Sequence, residues 1–296
     1  MKPPRFEYFS PADTIETVEI LGRHDGAARL LAGGQSLVPL LNFRVVTPTA
    51  LIDLNRCRGL DEIRRDGATL VLGAMVRQAA AETSEIVRAC CPLITATMPF
   101  LGSRTIRNRG TIGGTLAHAD RSAELPAVAT ALGAVMIAEG PKGLREIPAD
   151  EFYVGDLTTA LAVDEMLREV RVPIAPEGHR FAFVEATNRH HDLALVGVAL
   201  NIILKENQCE RVAIAVIGVG PKPSRLTAAE RCLVGNIIDD TVARAAAAAS
   251  IEGIEFESDL HAPADYRRHV LPGLVQRALN QALSRRPETI DDSREA

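Results

Sequence analysis

The sequence predicts an α+β protein with two domains, on three observations. At 296 residues the chain is long enough for more than one core, and 47% hydrophobic with 24% charged residues is typical of a globular protein. Strand-like and helix-like segments do not alternate regularly, which disfavours a repeated βαβ fold. Two prolines, a glycine and several charges in residues 172–180 indicate a boundary between the halves.

The first half contains a succession of short elements. Apolar residues at helical spacing over 13–23 predict a first helix, capped by Ser10 or Asp13. The run "ARLLAGGQS" predicts a strand that ends in a turn, and "LVPLLNFR" predicts a short helix. Residues 76–102 are predicted to be mostly helical with a break at Pro92. Further strands are predicted at "ALIDLNR", at "ATLVLGAM", on either side of "GPKG" and at "EMLREVRVP".

The second half contains three strand-like runs at hairpin spacing, which predict a three-stranded antiparallel sheet: "RFAFVEAT", "LALVGVALNIIL" and "RVAIAVIGVG". Helical segments follow, and the last of them has apolar or small residues every three or four positions, so that it should pack on the sheet. The final segment is polar and is expected to fray. The predicted division is therefore 1–176, 177–285 and a tail at 286–296.

Charge and cysteine content exclude several functions. The formal net charge is −5, from 33 basic and 38 acidic residues, which argues against a nucleic-acid partner. The start of the sequence lacks a signal-peptide pattern, and no apolar run reaches the roughly 20 residues of a membrane span, so the cytoplasm is expected. The five cysteines form no CxxC pair, which predicts reduced thiols and no metal or iron–sulfur site in this chain.

Two glycine turns carry the functional signal. The first is "AGGQS", between a predicted strand and a short helix, and the second is "TIGGT", about eighty residues later. Backbone N–H groups in such turns can bind phosphate, and glycine lets the phosphate approach because it has no Cβ. Neither turn has the spacing of a Rossmann or P-loop motif. The pattern alone leaves two possibilities open: ordinary tight turns, or two halves of one dinucleotide site.

A family resemblance extends this reading. "AGGQSLVPLLNFR" together with "RNRGTIGGTLAHADRSAELPA" resembles the FAD-binding medium subunit of molybdenum hydroxylases, the relatives of xanthine dehydrogenase and carbon monoxide dehydrogenase. "NRHHDLALVGVAL" and "HAPADYRRHVLPGLVQRAL" resemble the C-terminal domain of the same subunit. The resemblance implies a p-cresol methylhydroxylase-type FAD-binding domain of two subdomains over 1–176. It also implies a carbon monoxide dehydrogenase flavoprotein-like domain over 177–285.

The resemblance also implies which residues contact FAD. Both glycine turns would hold the pyrophosphate, Glu124 would accept from ribose hydroxyls, Leu167 would contact the adenine, and Leu101 would lie near the flavin. The complete set of expected FAD-binding residues is Leu31, Ala32, Gly33, Gly34, Gln35, Ser36, Leu37, Leu101, Thr111, Ile112, Gly113, Gly114, Thr115, His118, Asp120, Glu124 and Leu167.

The chain departs from the family pattern at three places. Thr115 replaces a common asparagine, Leu193 stands where some relatives have an aromatic residue, and the lysine that some relatives carry is missing from the strand "FAFVEATNR". Three arginines near the second turn, Arg104, Arg107 and Arg109, could hold phosphate, pair with a partner subunit or form a solvated charge run.

By resemblance, this chain is the electron-transfer subunit of a three-part oxidoreductase and has no catalytic side chain of its own. A large partner would hold molybdopterin and hydroxylate the substrate, and a small partner would carry two [2Fe-2S] clusters. The assembly would be a dimer of such heterotrimers. A free-standing flavin-dependent oxidoreductase and a non-catalytic scaffold subunit are the alternatives. N-heterocycles, purines, aldehydes and carbon monoxide all remain possible substrates, and the final electron acceptor is also open.

Overall fold

The computed structural model describes residues 2–189 and 191–284, and its first subdomain is built on a small parallel sheet. The sheet has the strand order β1-β3-β2, in which both outer strands run parallel to the central one. Asp13, not Ser10, caps the first helix, because its side chain accepts from the N–H of Glu16 at 3.0 Å. The elements are β1 (Glu7–Phe9), α1 (Thr14–His24), β2 (Ala28–Leu31), α2 (Leu37–Asn42) and β3 (Ala50–Asp53).

The second subdomain combines an antiparallel sheet with seven short helices. Its strands have the order β4-β5-β10-β6-β7, and the predicted hairpin around "GPKG" is its β6–β7 edge. The elements are β4 (Ile63–Asp66), β5 (Thr69–Gly73), α3 (Gln78–Thr83), α4 (Glu85–Cys90), α5 (Pro92–Thr97), α6 (Arg104–Arg107), α7 (Ile112–His118), α8 (Glu124–Leu132), β6 (Val135–Gly140), β7 (Gly143–Pro148), α9 (Ala149–Phe152), β8 (Tyr153–Gly155), β9 (Thr158–Thr159) and β10 (Met166–Pro173).

The long helical segment predicted for residues 76–102 is divided more often than expected. The break at Pro92 is confirmed, because this residue occupies the first turn of α5, where a missing N–H costs little. A second break occurs at Ser84, whose hydroxyl accepts from the N–H of Val87 and starts a new helix. A 3₁₀ turn at Met98–Phe100 ends the segment.

The second domain is a sheet covered on one face by helices. The three long predicted strands are confirmed as an antiparallel set, and a two-residue strand adds a fourth at the edge. The elements are β11 (His179–Ala186), β12 (Val196–Lys205), β13 (Gln208–Ile217), β14 (Ser224–Arg225), α10 (Thr227–Leu233), α11 (Asp240–Ala249) and α12 (Ala264–Ser284). As predicted, α12 buries an apolar stripe, from Leu271 to Ala282, in the core of this sheet.

The opposite face of this sheet packs on the first domain. Phe183, Ala199 and Ile217 belong to the same hydrophobic core as the helices and strands of the second subdomain. The predicted division after residue 176 falls in the connection between β10 and β11, and the predicted tail at 286–296 lies outside the described residues. Within the described part of the chain, no helix combines the length and the apolar composition that a membrane crossing requires.

Candidate functional site

The first glycine turn borders a cavity of about 340 Å³ at the end of the parallel sheet. The turn connects β2 to α2. Gly34 has φ +76°, a left-handed backbone conformation that residues with a side chain rarely adopt. Five of the seven residues predicted in this stretch line the cavity, whereas Ser36 and Leu37 begin the helix behind them. The cavity is lined by Leu31, Ala32, Gly33, Gly34, Gln35, Val38, Pro39, Asp53, Asn55 and Arg109.

The second glycine turn starts helix α7 and is held tightly against strand β5. Thr111 caps the helix, with its hydroxyl accepting from the N–H of Gly114 at 2.9 Å. Gly113 donates its N–H to the carbonyl oxygen of Ala74 at 2.9 Å. A Cβ at Gly113 would lie only 2.5 Å from the Cβ of Ala74, so glycine alone allows this approach.

The two glycine turns contact each other directly. A Cβ at Gly33 would lie 2.8 Å from the carbonyl carbon of Arg109 and 2.9 Å from the Cα of Gly110, both backbone atoms just before the second turn. A Cβ at Gly114 would lie 3.4 Å from the Cβ of Ala32. The two stretches that the sequence singled out therefore form one continuous backbone surface.

A polar network at the cavity was not predicted from the sequence. Burial raises the pKa of Asp53, but the hydrogen bonds from the Tyr8 hydroxyl at 2.6 Å and from Asn55 outweigh it and lower the pKa overall. Asn55 also donates to the carbonyl oxygen of Ala32 at 3.1 Å, and Arg77 donates to Asn55 at 2.6 Å and to the carbonyl oxygen of Arg109. The signal was present in "LIDLNR", where polar residues follow the buried central strand of the sheet at its carboxyl end.

The three arginines near the second turn have different environments. Arg107 is buried, forms a two-point ion pair with Glu82 (2.9 and 3.1 Å), and donates to the carbonyl oxygen of Gly102 at 2.7 Å. Its buried guanidinium holds α6 against α3 and is not part of a solvated charge run. Arg104 is exposed on α6, and only Arg109 lines the cavity.

The remaining predicted residues fall into two groups. His118 and Asp120 lie at the end of α7, and Asp120 accepts from the N–H of Ser122 at 2.8 Å. Glu124 follows in the first turn of α8, where burial, with a smaller contribution from Asp120, raises its pKa to about 7. Leu101 and Leu167 are both buried in the main hydrophobic core and do not line the cavity, so their contact with a cofactor stays a prediction.

The junction between the two domains carries buried polar atoms without a protein partner. Arg121 pairs with Glu257 across the junction at 2.9 Å, and its carbonyl oxygen accepts from the N–H of Gly218 at 2.8 Å. The Nε and Nη2 atoms of Arg121 and the Oε2 atom of Glu185 are buried and have no hydrogen-bond partner among the described residues. Buried polar atoms of this kind usually bind water or a ligand.

These features fit an extended dinucleotide such as FAD. The first glycine turn offers the backbone N–H groups of residues 33–36 at the cavity, and Arg109 adds a positive charge, as diphosphate binding requires. The carboxyl group of Glu124 at the start of α8 can bond to ribose hydroxyls. In the part of the chain that the structure describes, no group of three or more His, Cys, Asp or Glu side chains could hold a metal ion.

Comparison with known proteins gives matches over almost the whole chain. Residues 4–175 match the family described as the FAD binding domain in molybdopterin dehydrogenase, and residues 181–282 match the carbon monoxide dehydrogenase flavoprotein C-terminal domain. The chain is 40% identical to the 6-hydroxypseudooxynicotine dehydrogenase complex subunit alpha of Paenarthrobacter nicotinovorans, over 96% of this chain and 97% of that one. It is 37% identical to the carbon monoxide dehydrogenase medium chain of Hydrogenophaga pseudoflava, over 96% and 99%.

Solved structures agree with the sequence matches. The fold superimposes with a TM-score of 0.93 on a chain of carbon monoxide dehydrogenase from Hydrogenophaga pseudoflava, in a form that lacks the Mo-pyranopterin moiety of its molybdenum cofactor. That chain is 38% identical to this one, and the superposition covers 96% of this chain and 99% of the other. At this level of identity and coverage the match extends beyond the fold class to the family.

Proposed function

The chain belongs to the FAD-binding medium subunits of molybdenum hydroxylases, and from this premise we propose that its two glycine turns and its domain junction form the FAD site of an electron-transfer subunit. The single observation that carries the site is the backbone contact of Gly33 with Arg109 and Gly110. Two distant stretches with phosphate-binding character become one surface through this contact.

The residues of this chain bind and orient the cofactor. The backbone N–H groups of residues 33–36 and of Thr111 would hold the pyrophosphate, with the guanidinium of Arg109 balancing its charge. The N–H groups of residues 112–115 are bonded within the protein, so the rest of the second turn would position the first turn. The carboxyl group of Glu124 would bond to ribose hydroxyls. When bound, FAD supplies the redox chemistry, since it can take electrons from an iron–sulfur cluster and pass them to an external acceptor. No side chain of this chain is required as an acid or base on the organic substrate.

We assign the rest of the reaction to partner subunits. A small subunit with [2Fe-2S] clusters would deliver electrons to this chain, and a large molybdopterin subunit would hydroxylate the substrate, in a dimer of heterotrimers. The names of the relatives, "complex subunit alpha" and "medium chain", support a multi-subunit assembly. All five cysteines are free, and four of them are buried, which supports our further proposal of a reducing, cytoplasmic location. The proposed domain division stays at 1–176 and 177–285.

The visible absorption spectrum of the purified chain and its co-purifying partners tests this function. We expect flavin bands that move to the supernatant as FAD after acid precipitation, together with iron–sulfur absorbance from the partner. Turnover of an organic substrate by this chain alone would favour the free-standing oxidoreductase. A colourless chain that fails to take up added FAD would favour the scaffold.

A further inference from the structure

One face of strand β11 carries two phenylalanines and a glutamate with one buried oxygen atom. Because side chains alternate along a strand, Phe181, Phe183 and Glu185 share the face that points toward the FAD-binding domain. The Phe183 ring contacts Phe100 of that domain edge-on, with centroids 5.1 Å apart. Glu185, two residues further along, is therefore directed into the domain junction.

Helix α8 places Glu124 at the same level of the junction. The helix packs on β12 and β13, and its carboxyl end is fixed where Asn201 donates to the carbonyl oxygen of Ala131 at 3.1 Å. Glu124 lies seven residues before Ala131, about 10 Å back along the helix. Gly197 lies four residues before Asn201, about 13 Å back along the strand, and it pairs directly with Glu185. The other end of the helix is fixed as well, because Arg121, three residues before Glu124, accepts from the N–H of Gly218, the residue after the one that pairs with Gly197. Both glutamates therefore lie at the same end of the interface.

The charge of Glu124 disfavours the charged form of Glu185. Burial raises the pKa of Glu185 to about 8, and the nearby Glu124 contributes to the rise. The pKa of Glu124 is itself raised to about 7, first by burial and then by Asp120. Arg277, on the packed helix α12, opposes the rise at Glu185, but its guanidinium donates to the Glu185 backbone carbonyl at 2.9 Å.

Other elements packed on this strand add little charge. Helix α5, which packs on β11 from the FAD-binding domain, contains no ionisable side chain. Strand β12 has its lysine, Lys205, at the end far from Gly197. The buried Oε2 atom of Glu185 has no hydrogen-bond partner within residues 2–189 and 191–284.

We propose that Glu124 and Glu185 form a carboxyl pair that holds a proton at neutral pH, and that Glu185 uses its unpartnered oxygen to bind FAD as a hydrogen-bond donor. This inference rests on the proposed placement of FAD at the domain junction. A hydroxyl or ring nitrogen of the cofactor is the chemistry that such a donor recognises. It adds Glu185, which the sequence did not single out, to the binding residues.

Cofactor binding should then be coupled to proton uptake. Bound FAD brings the negative charge of its pyrophosphate and excludes water, and both effects raise the pKa of the pair further. The bound state therefore holds more protons than the free state once the pH exceeds the pKa of the free pair. By linkage, FAD affinity falls as the pH rises through that range, by up to about tenfold per pH unit for one proton.

The test measures the FAD dissociation constant of the full-length, FAD-depleted chain between pH 6 and 9. We expect the constant to be flat below about pH 7 and to rise above it, at most about tenfold per pH unit. Glu185→Gln, which mimics the neutral carboxyl, should flatten the rise. Glu210→Gln, the same change at an exposed position of β13, should leave the profile as in the unchanged chain.

Calorimetry of the unchanged chain provides a second readout that needs no variant. Titration with FAD at pH 8 in buffers of different ionisation enthalpy should show net proton uptake. FAD binding with a pH-independent constant and no proton uptake would overturn this inference and leave the proposed function intact. Failure to bind FAD at any pH would overturn the proposed function, and this inference with it.

Discussion

Replacing Gly33 with alanine should separate the two glycine turns and thereby remove FAD. The new Cβ would lie 2.8 Å from the carbonyl carbon of Arg109 and still closer to its oxygen. Both are backbone atoms, so no side-chain rotation can relieve the contact. Since carbon atoms pack at about 3.5 Å or more, the two turns must move apart by roughly 0.7 to 1 Å.

The cost of this displacement can be estimated for folding and for binding. Overpacking of a tight contact typically destabilises a protein by about 1 to 3 kcal/mol, so the variant should still fold. A charge-assisted hydrogen bond to phosphate contributes about 1.5 to 3 kcal/mol. Loss of two such bonds weakens FAD binding by about 3 to 6 kcal/mol, which is roughly 10² to 10⁴-fold in the dissociation constant.

Flavin stoichiometry and fluorescence titration would measure this loss, with circular dichroism as the check on folding. Gly22→Ala is the matched control, because a Cβ at Gly22 meets no atom within 4 Å and the residue lies inside helix α1. That control should gain about 0.5 to 1 kcal/mol of stability and keep FAD. A folded Gly33→Ala chain that binds FAD within threefold of the control would refute the assigned contact.

Three further changes follow from the same geometry. Thr111→Val removes the cap of α7 and should lower the free energy of unfolding by about 1 kcal/mol, measured by denaturant titration; Thr111→Ser should retain the cap. Arg107→Met leaves Glu82 without its partner and should cost about 3 kcal/mol, whereas Arg104→Met at the exposed position should change stability by less than about 0.5 kcal/mol. Arg109→Gln should weaken FAD binding about tenfold at low salt and reduce its salt dependence, and an unchanged salt dependence would exclude Arg109 as a phosphate ligand.

Local patterns in the sequence predicted most of the elements. Hydrophobic alternation predicted the three long strands of the second domain, and Pro92 marked a helix start. The edge strand Ser224–Arg225 escaped prediction because two residues carry no periodicity. The break at Ser84 escaped because a serine within an otherwise helical run serves equally well as a helix residue or as a cap.

The site was predictable only where a motif marked it. Two glycine pairs are visible in the sequence, but their mutual contact is not, since it depends on the packing of segments about eighty residues apart. For the same reason the ion pair of Arg107 was not predictable, because its partner Glu82 is 25 residues away and carries no sequence signal. Glu185 was also missed, because a single acid in a strand becomes unusual only when the opposing helix brings Glu124 beside it.

The core shared by the two domains has a consequence for how the chain folds during its synthesis. Phe183, Ala199 and Ile217 complete the core of the FAD-binding domain, although they lie beyond its proposed end at residue 176. A nascent chain that has just passed that boundary therefore still exposes apolar surface. At translation rates of about 5 to 20 residues per second, the next 41 residues take roughly 2 to 8 seconds. During that interval the exposed apolar surface of the first domain is what a chaperone would bind.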